Sequence, residues 1–126
     1  MSEIWRLSAV ELAARIRNRD VSATEAAQSA LARLSAANPA VNAVVDHRPE
    51  DVLAQAAAVD AALARGEDPG ILAGVPVTVK VNVDQAGYAT TNGVTLQKDL
   101  IAAVNSPVVD NPVSYTHLRA HETRHD

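Results

Sequence analysis

The chain has 126 residues, a formal net charge of −4 and no cysteine. Binding to nucleic-acid phosphates needs a cluster of basic residues, which this acidic and lysine-poor chain lacks. The absence of cysteine excludes disulfides and thiolate metal sites. The N-terminus carries charges throughout and no stretch approaches the length of a membrane span, so we expect a cytoplasmic protein without a membrane anchor.

Two N-terminal segments begin with the same helix-start signal. Ser-x-x-Glu occurs at residues 8–11 and 22–25, a spacing in which each side chain can bond the other residue's free backbone N–H. Apolar residues follow at helical spacing in both segments. The pattern predicts one helix from residue 8 to about 18–20, and a second from residue 22 to about 34 that Asn38-Pro39 ends.

The remaining elements alternate between strand and helix. Residues 41–46 (VNAVVD) form a short strand candidate, and an alanine-rich helix is expected over Glu50–Arg65, ended by Gly66. The strongest strand prediction is Val75–Val83, which is dominated by β-branched valines. Ser106-Pro107 is typical of a helix start. This order favours an α/β or α+β layout.

The valine-rich strand contains Lys80, one of only two lysines in the chain. Strand alternation places the valines on one face and Pro76, Thr78, Lys80, Asn82 and Asp84 on the other. Lys80 is then either part of a half-solvated polar face or the lining of a site. In a low-dielectric cleft the charged form of a lysine is disfavoured, so its neutral amine can act as a general base. Spacing alone leaves both interpretations open.

The stretch LAGVPVTVKVNVDQAGYATTNGV, residues 72–94, resembles the amidase signature family of serine hydrolases. Members carry a Gly-[Val/Ile]-Pro-x-x-x-Lys segment, followed by a glycine and a Thr-Thr pair in the next loop. The matching residues are Gly74, Val75, Pro76, Lys80, Gly87, Thr90 and Thr91. In the family the residue after the lysine is commonly acidic, whereas here it is Val81. This difference weakens the assignment to a subfamily more than it weakens the role of the lysine. The resemblance extends over nearly all of residues 1–112.

This resemblance implies an α/β fold, a mixed sheet flanked by helices, of which the chain is the N-terminal part. It also implies hydrolysis of a small-molecule carboxylic amide to an acid and ammonia by a Ser–cisSer–Lys triad, without a cofactor. Lys80 is the only triad member with a match. The two serines belong to Gly/Ser-rich segments further along the family's sequence, so the chain alone is expected to be inactive, with the C-terminal remainder of its domain as its missing partner.

Several alternatives remain at this point. The protein can instead be the amidase-type component of a glutamine-dependent amidotransferase, or a non-catalytic helical module that binds a partner. Thr90 and Thr91 are candidate substrate-binding residues, but a β-turn between β-forming residues explains them equally well.

The last residues contain HETRH, His121 to His125, which matches the zinc-binding motif H-E-x-x-H. No apolar face surrounds the motif, so we expect no metal site and keep a zinc hydrolase only as an alternative. The segment VSYTHLRAHET, residues 113–123, resembles a translated sequencing-library adaptor. We therefore assign residues 1–112 to the amidase domain and interpret residues 113–126 as a non-native tail.

Overall fold

The computed structural model describes residues 3–107, 109 and 118–122. Within these ranges it contains three α-helices with defined bounds, helical backbone at Pro107 and one parallel pair of strands, with short 3₁₀ turns after residues 3 and 94. In chain order the elements are α1 (Ala9–Arg17), α2 (Ala23–Val41), α3 (Pro49–Ala64), β1 (Pro76–Lys80) and β2 (Leu118–Glu122). None of the described helices is both long enough and apolar enough to cross a membrane.

Both serines cap their helices as the sequence predicts, and the full reciprocal box is found at the second helix. Ser8 Oγ accepts a hydrogen bond from Glu11 N at 3.1 Å, and Ser22 Oγ accepts one from Glu25 N at 2.9 Å. At α2 the reciprocal bond from Ser22 N to Glu25 Oε1, at 3.2 Å, completes the capping box. These bonds satisfy amides that have no partner inside the helix, which fixes where α1 and α2 begin.

A carboxylate from α3 adds a second cap to the start of α2. Asp60 accepts hydrogen bonds from Ala23 N at 2.7 Å, from Thr24 N at 3.1 Å and from Thr24 Oγ1 at 2.6 Å. The negative charge lies at the positive end of the helix dipole, where it is stabilising. This contact fixes the start of α2 against α3. Because Thr24 and Asp60 are 36 positions apart, no local sequence pattern predicts it.

The predicted end of α2 and the strand at residues 41–46 are both wrong. The helix passes Pro39, which lacks the N–H of one helical hydrogen bond, and ends at Val41 with Asn42 in the left-handed region at φ 49°. The Asn38 side chain accepts hydrogen bonds from Ala43 N at 2.9 Å and Val44 N at 3.0 Å, and donates one to Val44 O at 2.9 Å. These bonds occupy the backbone groups that a strand would need.

The third helix follows the prediction closely, since Pro49 is its first residue and Gly66 ends it. Gly66 N bonds Leu63 O and Glu67 N bonds Ala62 O, both at 3.0 Å, which is the Schellman arrangement with Gly66 at φ 77°. Hydrogen bonds from the Arg65 side chain, aided by its positive charge, lower the pKa of the Glu67 carboxyl. Both side chains are exposed, so this ion pair contributes little to stability.

The helices and the approach to β1 share a core of small and β-branched side chains. One cluster joins Ile4 and α1 to Val21 and Val75, and the other joins α2 and α3 to Ala73. Gly74 lies where these clusters meet, at φ 85°. A Cβ on Gly74 would lie 2.9 Å from Ile16 Cδ1 and 3.0 Å from Ala23 Cβ. A side chain at this position would therefore push α1 and α2 away from the strand.

Strand β1 pairs in parallel with β2, with Pro76 opposite Leu118 and Lys80 opposite Glu122. β2 lies inside the tail that the sequence analysis sets aside as non-native, and that interpretation stays a prediction. An unpaired strand edge offers hydrogen-bonding groups to any extended segment, so pairing by itself does not identify the origin of residues 118–122. The strand backbone there differs from the helix that a zinc-binding H-E-x-x-H motif requires, while His117 and His125 lie outside the described residues.

Replacing Gly74 by alanine is expected to destabilise the chain more than replacing Gly66. Both variants place a Cβ on a left-handed backbone, which costs about 1 kcal/mol, but only Gly74→Ala also meets neighbouring atoms. We expect an additional loss of roughly 1–3 kcal/mol from this overpacking. Urea denaturation of both variants measures the difference, and equal losses would show that the close approach at Gly74 has no energetic consequence.

Replacing Asp60 by alanine is expected to lower the free energy of unfolding by about 1–2 kcal/mol, because two amides at the start of α2 lose their acceptor. Asp60→Asn, which keeps one acceptor oxygen, should lie between the wild type and the alanine variant. Asp20→Ala serves as the control, since Asp20 is exposed and should change stability by less than about 0.5 kcal/mol. A loss at Asp60 no larger than at Asp20 would contradict the capping role.

Candidate functional site

Lys80 is the last residue of β1 and is half-buried. The predicted strand over Val75–Val83 is too long, because the chain turns directly after the lysine, with Val83 N bonding Lys80 O at 3.0 Å. Val75 and Val81, at either end of the strand, are buried, whereas Thr78 is exposed. On the strand face that carries Lys80, Thr78 is therefore exposed to solvent, whereas the Lys80 side chain is half-buried.

Residues 84–106, named here the post-strand loop, fold back onto the end of β1. Asn92 N bonds Val81 O at 3.4 Å, which brings the loop beside the residue that follows Lys80. Ala89 and Ile101 form an antiparallel bridge, and Thr90 N bonds Leu100 O at 3.0 Å. The two halves of the loop are therefore tied to each other and to the strand end.

The two threonines of the loop have different surroundings. Thr90 is buried and its hydroxyl donates a hydrogen bond to Asp84 Oδ1 at 2.6 Å. Thr91 is half-buried and its Oγ1 accepts a hydrogen bond from Gly93 N at 3.1 Å. Val94 N bonds Thr91 O at 2.8 Å across Asn92 and Gly93, both at positive φ, which is the type I′ turn that Asn-Gly favours. The Thr90 hydroxyl is thus bound to a carboxylate within the loop, and Thr91 is the first residue of the turn.

Three further residues shape the loop without having been singled out in the sequence. Asn105 Oδ1 accepts a hydrogen bond from Ala86 N at 2.7 Å, and Arg48 donates one from Nη2 to Gly87 O at 2.7 Å. Gln85 is fully buried, and within the structure as described its side-chain amide makes no hydrogen bond. The hydrogen bonds of Asn105 and Arg48 join positions 19 and 39 residues apart, so no local spacing pattern could have predicted them.

Of the described serines, Ser8 and Ser22 form the predicted side-chain caps, whereas the buried Ser106 Oγ makes no hydrogen bond within the structure as described. Ser8 and Ser22 cap helices, and Ser29 and Ser35 lie within α2. Ser106 N bonds Asp84 O at 3.0 Å, and the backbone at Pro107 is helical, in agreement with the predicted helix start. None of these serines lies in the Gly-rich turn that a nucleophile of this kind requires. Among the described residues no group of three or more histidine, aspartate or glutamate side chains could hold a metal ion.

An apolar groove lies at the other end of β1. Its volume is about 380 Å³, and its walls come from the second half of α2 and from Pro76, Val77 and Thr78. Elsewhere, the Trp5 ring packs under the guanidinium groups of Arg6 and Arg33, which lie 4.5 and 4.3 Å from the ring centroid. Neither feature contacts the end of the strand where Lys80 lies.

Comparisons with known proteins place this part of the sequence in a family. The sequence profile described as Amidase matches residues 25–111, a range that includes Lys80 and both threonines. An indoleacetamide hydrolase of Bradyrhizobium diazoefficiens is 44% identical over 108 residues, which cover 86% of this chain and 21% of that protein. A glutamyl-tRNA(Gln) amidotransferase subunit from Carboxydothermus hydrogenoformans is 39% identical over 108 residues, with 86% and 22% covered.

A solved structure of a bacterial aryl acylamidase of the amidase signature family superimposes with a TM-score of 0.85 at 26% identity. The match covers 92% of this chain and 25% of that one. The predicted amidase signature resemblance and the α/β fold are thereby confirmed. The chain spans about a fifth of the length of the curated relatives it matches.

Replacing Thr90 by valine is expected to lower the free energy of unfolding by about 1 kcal/mol, because a buried hydroxyl and its bond to Asp84 are lost. Thr90→Ser keeps the hydroxyl and should retain most of that stability. Urea denaturation of the two variants checks the prediction. Unchanged stability of the valine variant would contradict a contribution from the hydrogen bond to Asp84.

Proposed function

The chain belongs to the amidase family, and on that basis we propose that the complete protein hydrolyses a carboxylic amide to an acid and ammonia, with Lys80 as the base. The observation that carries the proposal is the place of Lys80 at the carboxyl end of β1, beside the folded-back post-strand loop. In α/β proteins with parallel strands, ligands bind outside the carboxyl ends of the strands. The position of Lys80 at the carboxyl end of β1 therefore agrees with the usual position of ligand sites in such folds.

In the proposed mechanism the neutral amine of Lys80 accepts a proton from a relay serine, which takes it from the nucleophilic serine. The nucleophile's Oγ then attacks the amide carbonyl, and the C–N bond breaks as the leaving nitrogen receives the proton. Water next hydrolyses the acyl-enzyme and regenerates the serine. We assign both serines to the remainder of the domain, because none of the described serines lies in a Gly-rich turn. The chain alone should accordingly be inactive.

A second candidate is supported by the relative from Carboxydothermus hydrogenoformans, which is one subunit of a glutamyl-tRNA(Gln) amidotransferase. If this protein has the same role, glutamine is its amide substrate and the ammonia passes to a partner protein instead of being released. Free ammonia measured from glutamine, with and without co-purified partner proteins, separates the two candidates.

Replacing Lys80 by methionine in the complete protein is expected to slow reaction of the nucleophilic serine roughly 10²–10⁴-fold, as loss of a general base does. A fluorophosphonate probe measures this without knowledge of the natural amide. Serine Oγ forms a bond to phosphorus, fluoride leaves, and the proton passes through the relay serine to Lys80. The rate of adduct formation, followed by intact mass, is the readout.

Lys98→Met is the matched control, because Lys98 is the other lysine of the chain and is exposed. Its labelling rate should equal that of the wild type. Unchanged labelling of Lys80→Met, with the fold intact by circular dichroism, would exclude the base role and show that another residue activates the serine.

A further inference from the structure

The Arg48 side chain links the helical layer to the post-strand loop. Arg48 is the N-cap residue of α3, but its side chain makes no capping hydrogen bond. Instead Nη2 donates to Gly87 O at 2.7 Å, and the guanidinium lies 3.9 Å from the centroid of the Tyr88 ring. Tyr88 is only 5% exposed. A cation held over a buried ring while it donates to a carbonyl combines two favourable interactions at one point of the loop.

The atoms that Arg48 contacts are themselves fixed on their other sides. Gly87 N bonds Ala102 O at 2.9 Å, and Ala102 N bonds Tyr88 O at 3.0 Å. Tyr88 N bonds Gln85 O at 3.0 Å across Gly87, which has φ 83°, as in a type II turn. A displacement of the guanidinium would therefore move a turn that is tied to both halves of the loop.

From this turn the contacts run on to the end of β1. Thr90 lies two residues after Tyr88 and bonds Asp84, and Asn92 N bonds Val81 O beside Lys80. Asp46 lies 3.8 Å from Arg48 Nη2, with both side chains about 40% exposed, so this ion pair orients the arginine only weakly. The stronger contacts of Arg48 are those that it makes with the loop.

We propose that Arg48 is a positioning residue for the reaction, which fixes the threonine-bearing loop against the strand end where Lys80 lies. It acts through Gly87 and Tyr88 and contacts neither the reacting atoms nor the substrate. This proposal rests on the proposed function, because it assigns Arg48 a role only if Lys80 is the base. Its energetic origin is the stacked, hydrogen-bonded guanidinium, which a neutral side chain cannot replace.

The test uses the complete protein with the variants Arg48→Gln and Arg48→Lys, and Arg15→Gln as the control. Arg15 is exposed on α1. Arg48→Gln is expected to slow fluorophosphonate labelling about tenfold, the effect of losing one charge-assisted hydrogen bond. Arg48→Lys keeps a cation over Tyr88 and one donor, so its rate should lie between those of the glutamine variant and the wild type. Arg15→Gln should label at the wild-type rate.

Hydrogen exchange measured by mass spectrometry adds a readout that does not depend on chemistry. In Arg48→Gln the amides of residues 84–106 should exchange faster, while those of α1 and α2 stay unchanged. Unchanged labelling and unchanged loop exchange would overturn the proposal, and so would faster exchange throughout the helices, which would reveal a general loss of stability. Lack of any rescue by Arg48→Lys would overturn it as well. Lys80→Met in the same assay keeps the two proposals apart, because its full activity would refute the base role itself.

Discussion

The close approach at Gly74 is the constraint on which the rest of the structure depends. At this residue the chain passes within contact distance of Ile16 on α1 and Ala23 on α2, immediately before β1 begins. The absence of a side chain lets the two apolar clusters meet at the start of the strand. Because a strand is stiff over five residues, fixing its first end also fixes where Lys80 emerges at its last. The position of the lysine is thus determined by packing that lies a full strand length away.

The elements that the sequence predicted well are those whose signals are local. The Ser22–Glu25 box and the Gly66 turn each use residues within a few positions of one another, so a pattern in the chain is enough. The predictions failed at Pro39 and at residues 41–46, where the outcome depends on the Asn38 side chain. Its three hydrogen bonds supply partners to the segment after the helix, which removes the need for a strand. The rule that Asn-Pro ends a helix does not take such side-chain hydrogen bonds into account, so it could not predict this helix end.

For the candidate site, the resemblance selected Lys80 and the threonine pair as candidates, but it carried no information on which residues contact them. The bond from Thr90 to Asp84, the bond from Ala86 to Asn105 and the contacts of Arg48 join positions that only the folded chain brings together. The type I′ turn at Asn92 and Gly93 was within reach of the sequence, since Asn-Gly is its usual signature. The tertiary contacts carry no such signature, because any polar residue at the right place in space can make them.

The distribution of these contacts has a consequence for catalysis in the family. The hydrogen bonds described for the post-strand loop join it to itself, to the end of β1 and to Arg48, all within the described part of this chain. The proposed base and its neighbouring loop are therefore shaped by about a fifth of the length of the relatives, whereas the proposed serines come from the remainder. A proton can pass from serine to lysine only when the two parts meet within hydrogen-bond distance. In the proposed mechanism, activity therefore depends on both parts, because the described residues position the proton acceptor and the remainder supplies the proton.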